Sequence, residues 1–180
     1  MSAVSVPYFK GSKPLPALLI LTLIFGTLDI LDDLLFWGLS MDVGPIDVFQ
    51  GIASGVLGSS AFHGGTATAT LGALIQYCGF FCLLGIYYLA LTRSSVLAHK
   101  PVLYGLGYGL ASYLVVHYLI LPMTAFHIVP GFYPAAFANG LLAQTVFIGL
   151  PSAFLAGAWK MGEAAAVRKS SEAGHASPTR

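Results

Sequence analysis

The chain has 180 residues, of which 57% are hydrophobic and only 8% charged, with a formal net charge of +1. Soluble domains carry about 25% charged residues, so a chain this apolar has too little polar surface to cover itself in water. No basic stripe is present to neutralise phosphates, which excludes nucleic-acid binding, and the length suits one compact domain.

Residues 1–14 form a short polar arm containing Pro7, Lys10, Lys13 and Pro14. The apolar stretch that follows, about 15–39, holds three aspartates and no small-residue cleavage site, so it is an uncleaved first span and not a signal peptide. Residues 40–50 carry Asp42, Gly44, Pro45 and Asp47, a turn-forming composition. The segment 51–62 is apolar but too short to cross a hydrocarbon core of about 30 Å. Within it, Gly51, Gly55 and Ser59 recur at i+4 and suggest a smooth packing face. His63-Gly64-Gly65 then lead into a second span, about 66–92. A short loop from Arg93 to Lys100 precedes the third, about 101–123. An uncharged connection with His127, Pro130, Gly131 and Tyr133 precedes the fourth, about 135–159. Pro122 and Pro151 are expected to kink or end helices, and residues 160–180 to be a disordered polar tail.

The predicted fold is therefore all-α: a polytopic membrane protein with four transmembrane helices and a short re-entrant or interfacial helix (51–62) on the outer side. Lys10, Lys13, Arg93, Lys100, Lys160, Arg168, Lys169 and Arg180 all fall on one side of this arrangement. The positive-inside rule makes that side, and hence both termini, cytoplasmic. A fifth crossing through 51–62 would put the basic loops on opposite faces. Tyr8, Trp37, Tyr133 and Trp159 lie near span ends, where an interfacial aromatic belt forms.

Chemistry concentrates in Thr27-Leu-Asp-Ile-Leu-Asp-Asp33. Carboxylates at mid-membrane cost on the order of 2.5–3.5 kcal/mol each on insertion scales. At 100° per residue Asp29 and Asp33 share a face with Thr22 and Gly26, and Asp32 lies beside it. That stripe must face other helices or a water-filled cleft. Either Asp29 and Asp33 line an outward-opening site for a cation, proton or polar solute, or they and Asp32 cap structure and reach for water. On the third span Gly105, Gly109, Tyr113 and His117 form one stripe, its glycine end suited to close helix approach. An Asp29–His117 pair is one expectation there; a histidine bonded to a backbone carbonyl is the alternative. Asn139, Gln144 and Gln76 are expected mainly as interhelical hydrogen-bonding groups.

Cys78 and Cys82, one turn apart, lack the ligand number of a zinc site and the geometry of a disulfide, and are expected to pack as small hydrophobes. His63, His117 and His127, with Asp29, are conceivable metal ligands without any supporting spacing, so no metal is expected; which cofactor, if any, the chain takes is unknown from the sequence. The 51–60 glycines lack the strand and lysine of a phosphate loop. No serine sits in an elbow motif, and the sequence points away from an enzyme.

Gly26-Thr-Leu-Asp-Ile30, Ile52-Ala-Ser-Gly-Val-Leu-Gly58, Ala61-Phe-His-Gly-Gly65 and Asn139-Gly-Leu-Leu142 together resemble an uncharacterised family of small four-helix bacterial inner-membrane proteins. The resemblance spans most of the apolar region and implies a multi-pass protein of the bacterial inner membrane, without adding a catalytic residue. It implies a histidine where Gln144 stands, a departure that counts against a chemical role at that position. The functional expectation is a membrane protein with an outward-facing polar pocket of Asp29, Asp33, Tyr113, His117 and Asn139, roofed by 51–62. Such a pocket binds or passes a small polar solute or ion. The alternative is a non-catalytic accessory or assembly subunit of a larger membrane complex; the bilayer is the partner in both readings, and a homo-oligomer fits either.

Overall fold

The computed structural model describes residues 14–125 and 133–175. Five α-helices run in the order α1 (Pro14–Met41), α2 (Pro45–Leu57), α3 (Gly65–Arg93), α4 (Pro101–Val115) and α5 (Pro134–His175), with no strand among the described residues. Four of the five open on proline. Proline suits this place because its missing N–H would lack an intrahelical acceptor anyway and its φ is already helical. The arm 1–13, His127 and the end of the tail lie outside the described residues.

Three helical stretches are long and apolar enough to cross a membrane: Gly65–Arg93, Pro101–Met123 and Pro134–Gly162. The second of these is α4 extended by a π-helical turn, Val116–Ile120, and a 3₁₀ turn, Leu121–Met123. Pro122 lies in that closing turn, as expected of a helix-ending proline. Pro151 behaves differently, since α5 continues through it without interruption. α1 is as long as α3, with 28 residues against 29.

The chain ends of these helices sort into two levels. Leu18 of α1, Leu84, Tyr87 and Leu91 of α3, Ala98 of the α3–α4 turn, and Leu155 and Ala156 of α5 share one buried cluster. The start of α1, the end of α3 and the later part of α5 therefore meet, together with the Arg93–Lys100 turn. At the opposite level the Ala125 N–H donates to the Gly55 carbonyl at 2.9 Å, joining the end of the third apolar stretch to α2.

Tight backbone approach, not bulky side chains, sets the α4–α5 pair. A Cβ on Gly105 would sit 2.5 Å from the Gly149 carbonyl oxygen, and one on Gly109 would sit 2.7 Å from that of Thr145. The expected use of this glycine stripe is borne out. The other glycine stripe packs only at its middle: Gly55 lies against Thr124, whereas a Cβ on Gly51 would meet nothing and Ser59 is exposed, and the face of α2 buried on α3 is Gln50, Ala53 and Ser54. The reason lies on α3, where Gly72 leaves room for the α2 backbone itself. A Cβ there would collide with the Phe49 carbonyl.

Two boundaries also differ from expectation. The short helix α2 begins at Pro45, six residues before the expected start at Gly51, since Pro45 at the first position and Asp47 in the first turn both favour a helix start. Gly58 ends it with φ 61°, its N–H donating to the Ser54 carbonyl. The residues from Lys160 to His175, expected as disordered tail, continue α5. Their alanine, lysine, arginine and glutamate content explains this, as these are strong helix formers even without an apolar face.

Gly109→Leu is expected to destabilise the protein in detergent by about 1–3 kcal/mol, the range for overpacking a close contact. Gly79→Leu, where an added Cβ meets nothing within 4 Å, is expected to leave thermal unfolding unchanged. Equal melting temperatures for both variants would contradict the glycine seam.

Candidate functional site

α1 turns its Thr22–Gly26–Asp29 stripe inward. Thr22 and Asp29 are 4% and 8% exposed, and a Cβ on Gly26 would lie 3.2 Å from the Tyr77 ring. Leu15, Leu19, Leu23, Leu31 and Leu35 are exposed on the same helix. The expectation that the acidic stripe must face other helices holds.

Each of two aspartates meets an amide from a different helix. Gln76 of α3 donates through Nε2 to Asp29 Oδ2 at 2.5 Å. Asn139 of α5 donates through Nδ2 to Asp32 Oδ2 at 2.8 Å. Beside them, the Thr27 and Tyr77 hydroxyls lie 2.8 Å apart in a third polar link between α1 and α3. Asp33 is half-buried and has no hydrogen-bond partner among the described residues. No lysine, arginine or histidine pairs with any of the three acids among the described residues. The group is three carboxylates in just over one helical turn, answered only by neutral donors.

Asn139 was expected beside Asp29 and Asp33 and instead bonds Asp32, which the sequence marks as lying off the stripe. Gln76, expected as a structural amide, is the partner of Asp29. Its neighbour Tyr77 was not singled out at all. A glutamine and a tyrosine adjacent in an otherwise apolar helix are the signal that could have found the pair.

The Asp29–His117 pair does not form; the other expectation, a histidine bonded to a backbone carbonyl, is what the structure shows. His117 sits in the π-helical turn, its Nδ1 3.2 Å from the Tyr113 carbonyl oxygen. A carbonyl only accepts, so Nδ1 carries the proton and Nε2 is left as the acceptor. The imidazole stacks on the Tyr113 ring with centroids 4.0 Å apart, and Nε2 lies 3.8 Å from where a Cβ on Gly140 would sit. Tyr113 in turn donates to the Phe137 carbonyl at 3.4 Å. Tyr113 and His117 thus form a second polar group against α5, reaching the residue next to Asn139 without bonding an aspartate. Gln144 donates to Ser112 Oγ at 3.4 Å and ties α5 to α4, the structural role expected of it.

No cluster of three or more His, Cys, Asp or Glu side chains suited to a metal ion occurs among the described residues. His63 is exposed, with Nδ1 3.3 Å from the Ser59 carbonyl oxygen. Cys78 and Cys82 are free thiols on the exposed side of α3, not packed inside the chain as expected, because α3 turns that side away from α1, α2 and α5. A cavity of 330 Å³ lies elsewhere, between α3 and α4, and none of the expected site residues lines it.

No protein-family model, curated protein or solved structure matches the chain.

Removing one side of a buried hydrogen bond leaves the other unsatisfied and costs about 1–3 kcal/mol, more for a charged group, whereas replacing both sides with apolar groups is close to neutral. Gln76→Leu is therefore expected to lower stability, and Asp29→Leu with Gln76→Leu to recover most of the loss. Thermal unfolding of the two single variants and the double variant measures the coupling; additive losses would show that the two side chains do not interact.

Proposed function

We propose that this is a four-span protein of the bacterial inner membrane whose α1 carboxylates form an outward-facing polar site for a small polar solute or ion, and that the solute is a small cation, the proton included. The carrying observation is the pairing of Asp29 and Asp32 with uncharged amides alone. Like charges close together in an apolar surrounding repel strongly, because little solvent screens them. A cation offsets that repulsion, while an anion adds to it. Asp33, with an unoccupied carboxylate, is the group best placed to meet an arriving cation.

The crossing of α1 as a fourth span is supported by its length and by the leucines it exposes along that length. Both termini on the cytoplasmic side agrees with the basic residues, which cluster before α1, between α3 and α4, and in the later part of the chain. α2, seated on the first turns of α3 just above Gln76, then covers the site from the outer side.

The accessory-subunit reading draws its partner surfaces from small-residue faces. Gly105, Gly109 and Gly72 are already occupied by α5 and α2, which weighs against it. The exposed Cys78–Gly79–Cys82 side of α3 is one small-residue surface that stays open to a second copy or a larger complex.

In vesicles carrying the purified protein, Asp29→Asn is expected to abolish cation or proton flux read by ion-sensitive dyes, while circular dichroism stays that of the wild type. Undiminished flux in that variant would reject the site. Reporter fusions in the Arg93–Lys100 turn and after Arg168 are expected on the cytoplasmic side, with a fusion at Val43 on the other. Any split between the first two would reject the topology.

A further inference from the structure

The 330 Å³ cavity is a groove between α3 and α4, lined by Tyr87, Ala90, Leu97, Leu103, Tyr104 and Gly107, with Tyr108 at its inner end. It exists because α4 packs along α5 through its glycines, leaving α3 and α4 joined at this level by the Tyr108 hydroxyl, which donates to the Leu83 carbonyl at 2.8 Å. The lining is almost wholly apolar, and the volume falls within the roughly 300–1,000 Å³ of small-molecule sites.

Its position relative to the span ends is informative. Leu97 belongs to the turn between the two helices, so the groove reaches the turn end of α3 and α4; with both helices crossing the bilayer, that end falls at headgroup level. From Leu103 to Tyr108 the groove follows α4 for about 7–8 Å at 1.5 Å per residue. Arg93 is the last residue of α3, and Lys100 immediately precedes α4, three residues before Leu103 of the lining; both are exposed. Ala90 of the lining precedes Arg93 by three residues and so shares its face of the helix. The sequence contains no Asp or Glu from Val48 to Gly162, so neither cation has an acidic neighbour along the chain. A site with two cations at headgroup level and an apolar slot below them matches one molecule: charge above, hydrocarbon beneath.

We propose that this groove binds an anionic phospholipid, one acyl chain lying between α3 and α4 and the phosphate meeting Arg93 and Lys100. The guanidinium offers a paired donor geometry to phosphate oxygens, and the ammonium a point charge. This assignment requires only that α3 and the Pro101–Met123 stretch cross the membrane, and it is independent of the acidic site.

Native mass spectrometry of the full chain in mild detergent, titrated with phosphatidylglycerol or phosphatidylcholine, tests it. The wild type is expected to retain phosphatidylglycerol in preference. An added Cβ at Gly107 meets nothing within 4 Å, so Gly107→Leu fills the groove without disturbing the helices, and it is expected to lose most bound lipid. Gly79→Leu, on another face, is expected to retain it. Arg93→Gln with Lys100→Gln is expected to erase the preference for phosphatidylglycerol, a change of roughly 30-fold for two basic residues at about 1 kcal/mol each. Equal retention by wild type and Gly107→Leu, or a wild type indifferent to headgroup charge, would overturn the proposal.

Discussion

A carboxylate within an apolar helical bundle is tolerable only if a donor reaches it, because the surrounding hydrocarbon offers none. In this chain that requirement falls on α1, and the donors come from elsewhere: Gln76 on α3 and Asn139 on α5. Each contact fixes both the rotation of α1 about its axis and its level against a neighbour. Rotating α1 by a single residue would send Asp29 toward lipid and break the bond to Gln76. The polar residues thus orient a helix whose remaining surface is mostly leucine and isoleucine, side chains with little directional preference of their own.

The rest of the bundle is held by a different means. Lipid tails are as apolar as leucine, so helices in a membrane gain little by hiding apolar side chains from one another. What α4 and α5 gain is close contact, with Gly105, Gly109 and Gly149 letting the two backbones approach. Dispersion attraction along such a seam sums over many atoms. This leaves a rigid pair at one side and a hydrogen-bonded α1 at the other. The polar side chains of Tyr113 and His117 lie at the end of the seam away from Lys100, just where the α-helix relaxes into a π-helical turn. π-turns of this kind are common at functional positions.

Much of this was legible in the residues. Hydropathy and prolines located the long helices to within a few residues, and i+4 spacing identified both the inward acidic stripe of α1 and the glycine seam of α4. The pairing of side chains across helices was not legible. Which amide meets which aspartate depends on crossing angle and relative level, and periodicity within one helix carries neither; hence Asn139 reached Asp32 and His117 bonded its own backbone. The same limit explains α2, whose glycine stripe looked like a packing face although the space that admitted it was provided by Gly72 on another helix. The helical continuation past Lys160 has a simpler cause: polarity there points to a tail, but the alanine-rich composition favours helix all the same.

The seating of α2 has a bearing on biosynthesis. Its buried face rests on Gly65, Thr68 and Gly72, with Gln50 donating to the Gly65 carbonyl and to the Thr68 hydroxyl. Those residues leave the ribosome after α2 does. The native seat of α2 is therefore completed only once the first turns of α3 have been synthesised.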